Sequence, residues 1–244
     1  VFLRVNLLRG DRAGAIEALS ADGIAAEAHP DVATALRVRD GARRLRGSTA
    51  YLDGLVELQD ASSQAAVAAL QGISGARVLD FCAGGGGKAL ALAAAGAGEI
   101  VAHDAHARRM SDIPARAARA GARIDIRDRI PASEQGRFDI VFVDAPCSGS
   151  GTWRRDPEAK WRLTPADLDD LVALQRRILH DAADFVAPGG TLAYATCSVL
   201  EAENRDVTAS VIAARGDLEL MFRNRWLPDD QGDGFHLQIM NRLI

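Results

Sequence analysis

Two cysteines in this chain each close an apolar run, Cys147 in Asp144-Ala145-Pro146-Cys147 and Cys197 in Thr196-Cys197-Ser198. A thiolate is a strong nucleophile. Two of them downstream of a glycine-rich turn point to covalent chemistry on a pyrimidine ring. The plain alternative is that a cysteine in an apolar strand is a buried small hydrophobe. That reading suits Cys82, whereas Cys147 and Cys197 stand at strand exits beside polar and turn residues. Pro146 fixes its own φ and donates no backbone hydrogen bond, so it ends the run and aims Cys147. Asp144 should emerge at the carboxyl edge of a parallel strand, the edge at which open α/β sheets bind ligands.

The chemistry such a pair suits is specific. Carbon 5 of cytosine becomes nucleophilic only after a nucleophile adds to carbon 6, which a thiolate can do. The second thiol or a nearby acid then assists proton removal and elimination, and Asp144 is placed to hydrogen-bond the ring nitrogen. Upstream, Val78-Leu79-Asp80-Phe81 runs into Cys82-Ala83-Gly84-Gly85-Gly86-Gly87-Lys88. Glycines there let the backbone approach a ligand, and the helix start that follows offers free N–H groups. Asp104 closes the next strand, where a carboxylate can accept both ribose hydroxyls. The glycines fit neither G-x-G-x-x-G nor a P-loop, since Ala89 stands at the last position of the first pattern and Lys88 is not followed by Ser or Thr. S-adenosylmethionine is the cofactor these features suit, with Asp128 or its neighbour Asp125 near the adenine amino group. A purely structural glycine turn is the alternative.

The elements that must carry these residues read as an α/β domain. Apolar runs Arg77 to Phe81, Glu99 to Asp104, Ala122 to Arg127, Phe138 to Asp144, Thr191 to Thr196 and Phe235 to Ile244 are expected strands. Expected helices lie at Lys88 to Ala95, Ala107 to Ala120, Pro165 to Val186 and Glu201 to Ala214. Thr164 serves as N-cap of the third, Pro165 fits its first position, and Pro188-Gly189-Gly190 stops it. Residues 1–57 form a small α/β module with a strand at Phe2 to Leu7, a helix at Ala13 to Ala21 and an apolar run at Ala35 to Val38. A helix from Ser62 to Leu70 joins it to the catalytic domain, residues 58–244.

Composition narrows the class. The 244 residues are 48% hydrophobic and 25% charged, ordinary for a globular protein, with no apolar run of the ~20 residues that cross a bilayer. Three cysteines without C-x-x-C spacing argue against zinc and against a disulfide framework, and suit a reducing cytoplasm. A net charge of −4 excludes a surface that grips nucleic acid everywhere, yet arginines cluster at Arg37–Arg46, Arg108–Arg123 and Arg154–Arg162. Trp153 and Trp161 in the last cluster suit either base stacking or packing. His103 and His106 are assigned no catalytic role.

Together these residues resemble the Sun/Fmu (NOL/NOP/Sun) family of RNA cytosine-5 methyltransferases, most closely its bacterial members acting on small-subunit ribosomal RNA. The match runs through Gln59-Asp60-Ala61-Ser62-Ser63-Gln64, Asp80 to Lys88, Asp144 to Cys147, Lys160-Trp161, Pro188-Gly189-Gly190, Tyr194-Ala195-Thr196-Cys197-Ser198 and Glu203-Asn204. The resemblance implies a Rossmann-like methyltransferase domain with a mixed, mostly parallel seven-stranded sheet, preceded by an RRM-like module. It implies Cys197 as nucleophile, Cys147 as the cysteine that helps release product, and Lys88 near the base. Around S-adenosylmethionine it implies Cys82, Ala83, Gly84 to Lys88, Asp104, Arg109, Asp128 and Asp144. Ribosomal RNA is the implied partner, and a monomer without metal or membrane is expected. The family's loop usually reads Ala-Pro-Gly-Gly-Lys, so Gly84-Gly85-Gly86-Gly87-Lys88 should be looser, and His236 replaces a frequent second Phe.

Overall fold

Apolar runs pair into two sheets in the computed structural model, which describes residues 1–244. Residues 1–58 supply β1 (Phe2–Val5), α1 (Arg12–Ala21), β2 (Ala25–Ala28), β3 (Ala35–Asp40), α2 (Thr49–Leu52) and β4 (Val56–Leu58). The four strands are antiparallel neighbours in the order β2-β3-β1-β4, over a small core that includes Leu3, Val5, Leu19 and Leu36.

The remainder alternates strand and helix: α3 (Ala61–Ala68), β5 (Arg77–Asp80), α4 (Gly87–Ala94), β6 (Glu99–His103), α5 (Ile113–Ala120), β7 (Asp125–Arg127), β8 (Phe138–Asp144), α6 (Pro157–Arg162), α7 (Pro165–Ala183), β9 (Val186–Thr196), α8 (Arg205–Arg215), β10 (Leu218–Trp226) and β11 (Phe235–Arg242). The sheet order is β10-β11-β9-β8-β5-β6-β7, and only β11 runs against the rest. It is the mixed, mostly parallel seven-stranded α/β sheet expected.

Both faces of the sheet are covered, which is why its central strands read as continuous apolar runs. Alternation along them splits the core in two. Ile140, Phe142, Ala193 and Ala195 face one layer, while Val141, Val143, Leu192 and Tyr194 face the other with Leu179 of α7 and Val211 of α8. Thr164 caps α7 through a reciprocal bond pair with Asp167, and Pro165 occupies its first turn. β5, β6, β7, β8 and β9 therefore open at one shared carboxyl edge.

Several expected boundaries move; the strand expected from Ala122 begins at Asp125, and the one expected to Leu7 ends at Val5. The helix expected to Val186 ends at Ala183, because buried Val186 already belongs to β9. Pro188-Gly189-Gly190 lies inside β9, opposite a register shift in β8, with Gly189 at φ 75°; it is a strand irregularity, not a helix stop. The helix expected over Ala107 to Ala120 breaks into a 3-10 turn at Ala107–Met110 and α5, since Pro114 cannot donate the bond a continuous helix needs. The helix expected from Glu201 starts at Arg205 after a 3-10 turn, because Asn204 is held at φ −112°, ψ −95°.

Candidate functional site

The turn after β5 is shaped by glycine where only glycine serves. Gly84 and Gly86 have φ of 49° and 80°, and a Cβ on Gly86 would sit 2.8 Å from Ile113 Cγ1. Sequence comparison with the family's proline suggested a loose loop. Here the Gly86 N–H bonds the Ala83 carbonyl at 2.8 Å, the Gly84 N–H bonds Asp104 Oδ2 at 3.0 Å, and the Arg116 guanidinium grips the Gly85 carbonyl. Hydrogen bonds fix the backbone in the proline's place.

The acids that could serve a nucleoside line the same edge. Asp104 follows β6, is 3% exposed, and takes the N–H groups of Gly84 and His106 while Arg109 stands 3.4 Å away. Asp128 directly follows β7 and is exposed at the carboxyl edge. Asp125 opens β7 at the opposite end and pairs with Arg127, so geometry favours Asp128 over its neighbour. Ala83 is buried, held by its N–H to the His103 carbonyl at 2.8 Å. Cys82 packs at the rim of the second core layer, where burial drives its thiol well above the usual range and makes it a poor nucleophile. The glycine turn, half-buried at Gly85 and Gly87 and flanked by one buried and one exposed acid, fits a nucleoside-type cofactor.

Beside this cradle the two other cysteines meet. The Sγ atoms of Cys147 and Cys197 lie 3.3 Å apart, both half-buried. Their hydrogen bond splits their acidities. It raises Cys147 well above an ordinary thiol, with burial adding to it, and lowers Cys197 against the opposing effect of burial. Cys197 is thus the more acidic of the two sulfurs, and the contact favours Cys147 as donor toward it. Close by, Lys88 Nζ bonds Asp144 Oδ2 at 2.6 Å and lies 5.0 Å from the centre of the Phe235 ring. The ensemble offers an acidified thiol, a second thiol in contact with it and an ammonium–carboxylate pair at one strand edge.

Two acids at this edge carried no role in the sequence reading. Asp80 ends β5 with its carboxyl fully buried, neither oxygen hydrogen-bonded, and burial together with Asp144 lifts it to about 7. Glu203 is likewise fully buried, behind the two cysteine turns. Its position six residues after Cys197, in the Glu203-Asn204 pair, was the available signal.

Arg37 of the first cluster and Arg154 and Arg155 of the third line one cavity with Gln59, Asp60 and Asp230. Arg37 pairs with Asp230, Arg39 with Glu27, and Arg116 and Arg119 with buried Glu57, so much of that charge is structural. Arg154 and Arg155 both reach Asp233. Trp161 is 83% exposed, with Lys160 Nζ 5.5 Å from its ring centre, while Trp153 is half-buried.

Comparison with known proteins places this geometry. A family model described as 16S rRNA methyltransferase RsmB/F matches residues 67–242. A Klebsiella pneumoniae subsp. pneumoniae protein named ribosomal RNA small subunit methyltransferase B is 35% identical over 226 residues, covering 90% of this chain and 52% of that protein. The chain thus spans about half the length of that curated relative. A crystal structure of a methyltransferase homolog protein from Pyrococcus horikoshii has a TM-score of 0.85 at 25% identity, covering 99% of this chain and 86% of that one. NSun6 from the same organism, solved with SFG, has a TM-score of 0.84 at 17% identity over 100% and 90% of the two chains, a likeness of fold. The large sheet is a Rossmann-like methyltransferase fold.

Proposed function

This chain belongs to the 16S rRNA methyltransferase RsmB/F family, and from that premise we propose that it transfers a methyl group from S-adenosylmethionine to carbon 5 of a cytosine in small-subunit ribosomal RNA, through a covalent Cys197 adduct. One observation carries the reading: two cysteine sulfurs from separate strand exits in contact at 3.3 Å, beside the glycine cradle. In this reading residues 58–244 form the catalytic part and residues 1–57 a module joined to it.

The cofactor would be held by the backbone from Cys82 to Lys88, by Asp104 and Asp128, and by Arg109 and Asp144 at the margins. Bound there, it supplies an electrophilic methyl group. The chain's own residues do the rest. Cys197 as thiolate adds to carbon 6, placing charge on the ring and making carbon 5 nucleophilic. The Lys88 ammonium can donate to a ring acceptor as that charge develops, and the Asp144 carboxylate can accept from the exocyclic amino group. After methylation the carbon 5 proton passes to a base, water or a nearby carboxylate, its C–H electron pair forms the carbon 5–carbon 6 double bond, and the sulfur–carbon 6 bond breaks with its electron pair returning to Cys197. A hydrogen bond from the Cys147 thiol, 3.3 Å away, stabilises the sulfur as that charge returns. The target base must leave its stack to reach the thiol.

The test is methyl transfer from labelled S-adenosylmethionine to small-subunit ribosomal RNA from cells lacking the gene, with the modified position read by bisulfite sequencing. Cys197→Ala should lower incorporation by roughly a thousandfold or more, the scale on which loss of a nucleophile acts. Methylation at the wild-type rate in that variant overturns the reading.

A further inference from the structure

The Cys147–Cys197 contact joins two separate turns, one after β8 and one after β9, and a single side chain spans them. Glu203 Oε1 accepts the Ser148 N–H at 2.8 Å and the Gln175 amide at 2.9 Å. Its Oε2 accepts the hydroxyls of Ser148 and Ser198. Ser148 and Ser198 are the residues immediately after the two cysteines. All four donors are neutral, so the buried charge is satisfied by hydrogen bonds alone and would be costly to bury without them.

Further bonds pin Glu203 itself. Its carbonyl accepts the hydroxyl of buried Tyr194 at 2.7 Å, and Gln175 also donates to the Pro146 carbonyl at 2.9 Å. Next to it, the Asn204 side chain accepts from Thr196 at 2.6 Å and donates to the Ser198 carbonyl at 2.9 Å. These contacts explain the non-helical backbone at Asn204. They tie the residues on either side of both cysteines to one fixed point.

We propose that Glu203 is the positioning residue of the thiol pair: its carboxylate clamps Ser148 to Ser198 and thereby holds Cys147 in hydrogen-bonding reach of Cys197. The inference deepens the proposed function and rests on it for the use of the thiols. Glu203→Gln keeps the shape but turns one acceptor arm into a donor, so one side of the clamp opens. Ser148→Ala, at a half-buried position, removes a single donor from the other end.

The experiment is iodoacetamide alkylation of the intact chain across pH, with each cysteine followed by peptide mass spectrometry and folding checked by circular dichroism. Lys88 and Asp144 face Cys197 and are unchanged in the variant. Losing the Cys147 bond outweighs losing the Glu203 charge, which acts the other way on the thiols. Glu203→Gln should therefore raise the midpoint of the Cys197 profile by about one unit, a drop of about tenfold in rate below that midpoint. Ser148→Ala should move it the same way by about half as much on the same scale. A Cys197 profile like wild type in folded Glu203→Gln overturns the proposal; if that variant does not fold, an unshifted profile in Ser148→Ala overturns it. Alkylation needs no RNA. A shifted profile therefore upholds the clamp even where methyl transfer fails, and an unshifted one sinks it even where methyl transfer stands.

Discussion

Asp80 ends β5 with both carboxyl oxygens enclosed, and the only charges near it are those of its own site. Burial, reinforced by Asp144, lifts its carboxyl from 3.8 to about 7. The folded chain keeps this proton over a range in which the unfolded chain has released it. Stability from this group is therefore full below about pH 4, declines as pH rises toward 7, and is level above that. Once ionised, the carboxyl costs the folded state on the order of 4 kcal/mol. Asp80→Asn removes the titration, so its stability relative to wild type should improve by that order between pH 4 and pH 8. Urea unfolding of both proteins at the two pH values measures it, and a stability difference independent of pH contradicts it.

At the scale of elements, the glycine turn and α4 separate shape from mere flexibility. Gly86 combines φ 80° with a Cβ position 2.8 Å from Ile113, whereas a Cβ on Gly87, the first residue of α4, meets nothing within 4 Å. Gly86→Ala should therefore cost about 2–4 kcal/mol from left-handed strain and overpacking together. Gly87→Ala should be neutral or stabilising by about 0.5 kcal/mol, because alanine restricts the unfolded chain. Denaturant midpoints of the two variants decide it, and equal losses would refute the distinction. The central strands were legible because burial on both faces makes β8 a continuous apolar run from Ile140 to Val143, with Asp144 at its exit. β10 was hidden because, at the sheet edge, it is mostly exposed and its charges break any alternation. β2 and β4 are too short, at four and three residues, to show a pattern.

Across the whole molecule, the small sheet is bound into the large part by buried polar contacts. Asn6 donates to the carbonyls of Gly54 and Ala120 at 2.8 Å each, and Glu57 takes Arg116 and Arg119 of α5. The sequence shows these residues as scattered polar positions and clustered arginines, because pairing across 114 positions of chain leaves no local signal. The same holds for the thiols. Their positions at strand exits are legible, but their contact depends on β8 and β9 being neighbours and on Glu203 behind them. The central claim is that these two sulfurs act in sequence on one base. Its most direct measurement is denaturing electrophoresis and mass spectrometry of Cys147→Ala after incubation with ribosomal RNA and S-adenosylmethionine. We predict a covalent protein–RNA species with the nucleotide on Cys197, lost when Cys197→Ala is added. No such species in the single variant, or its persistence in the double variant, would contradict the account.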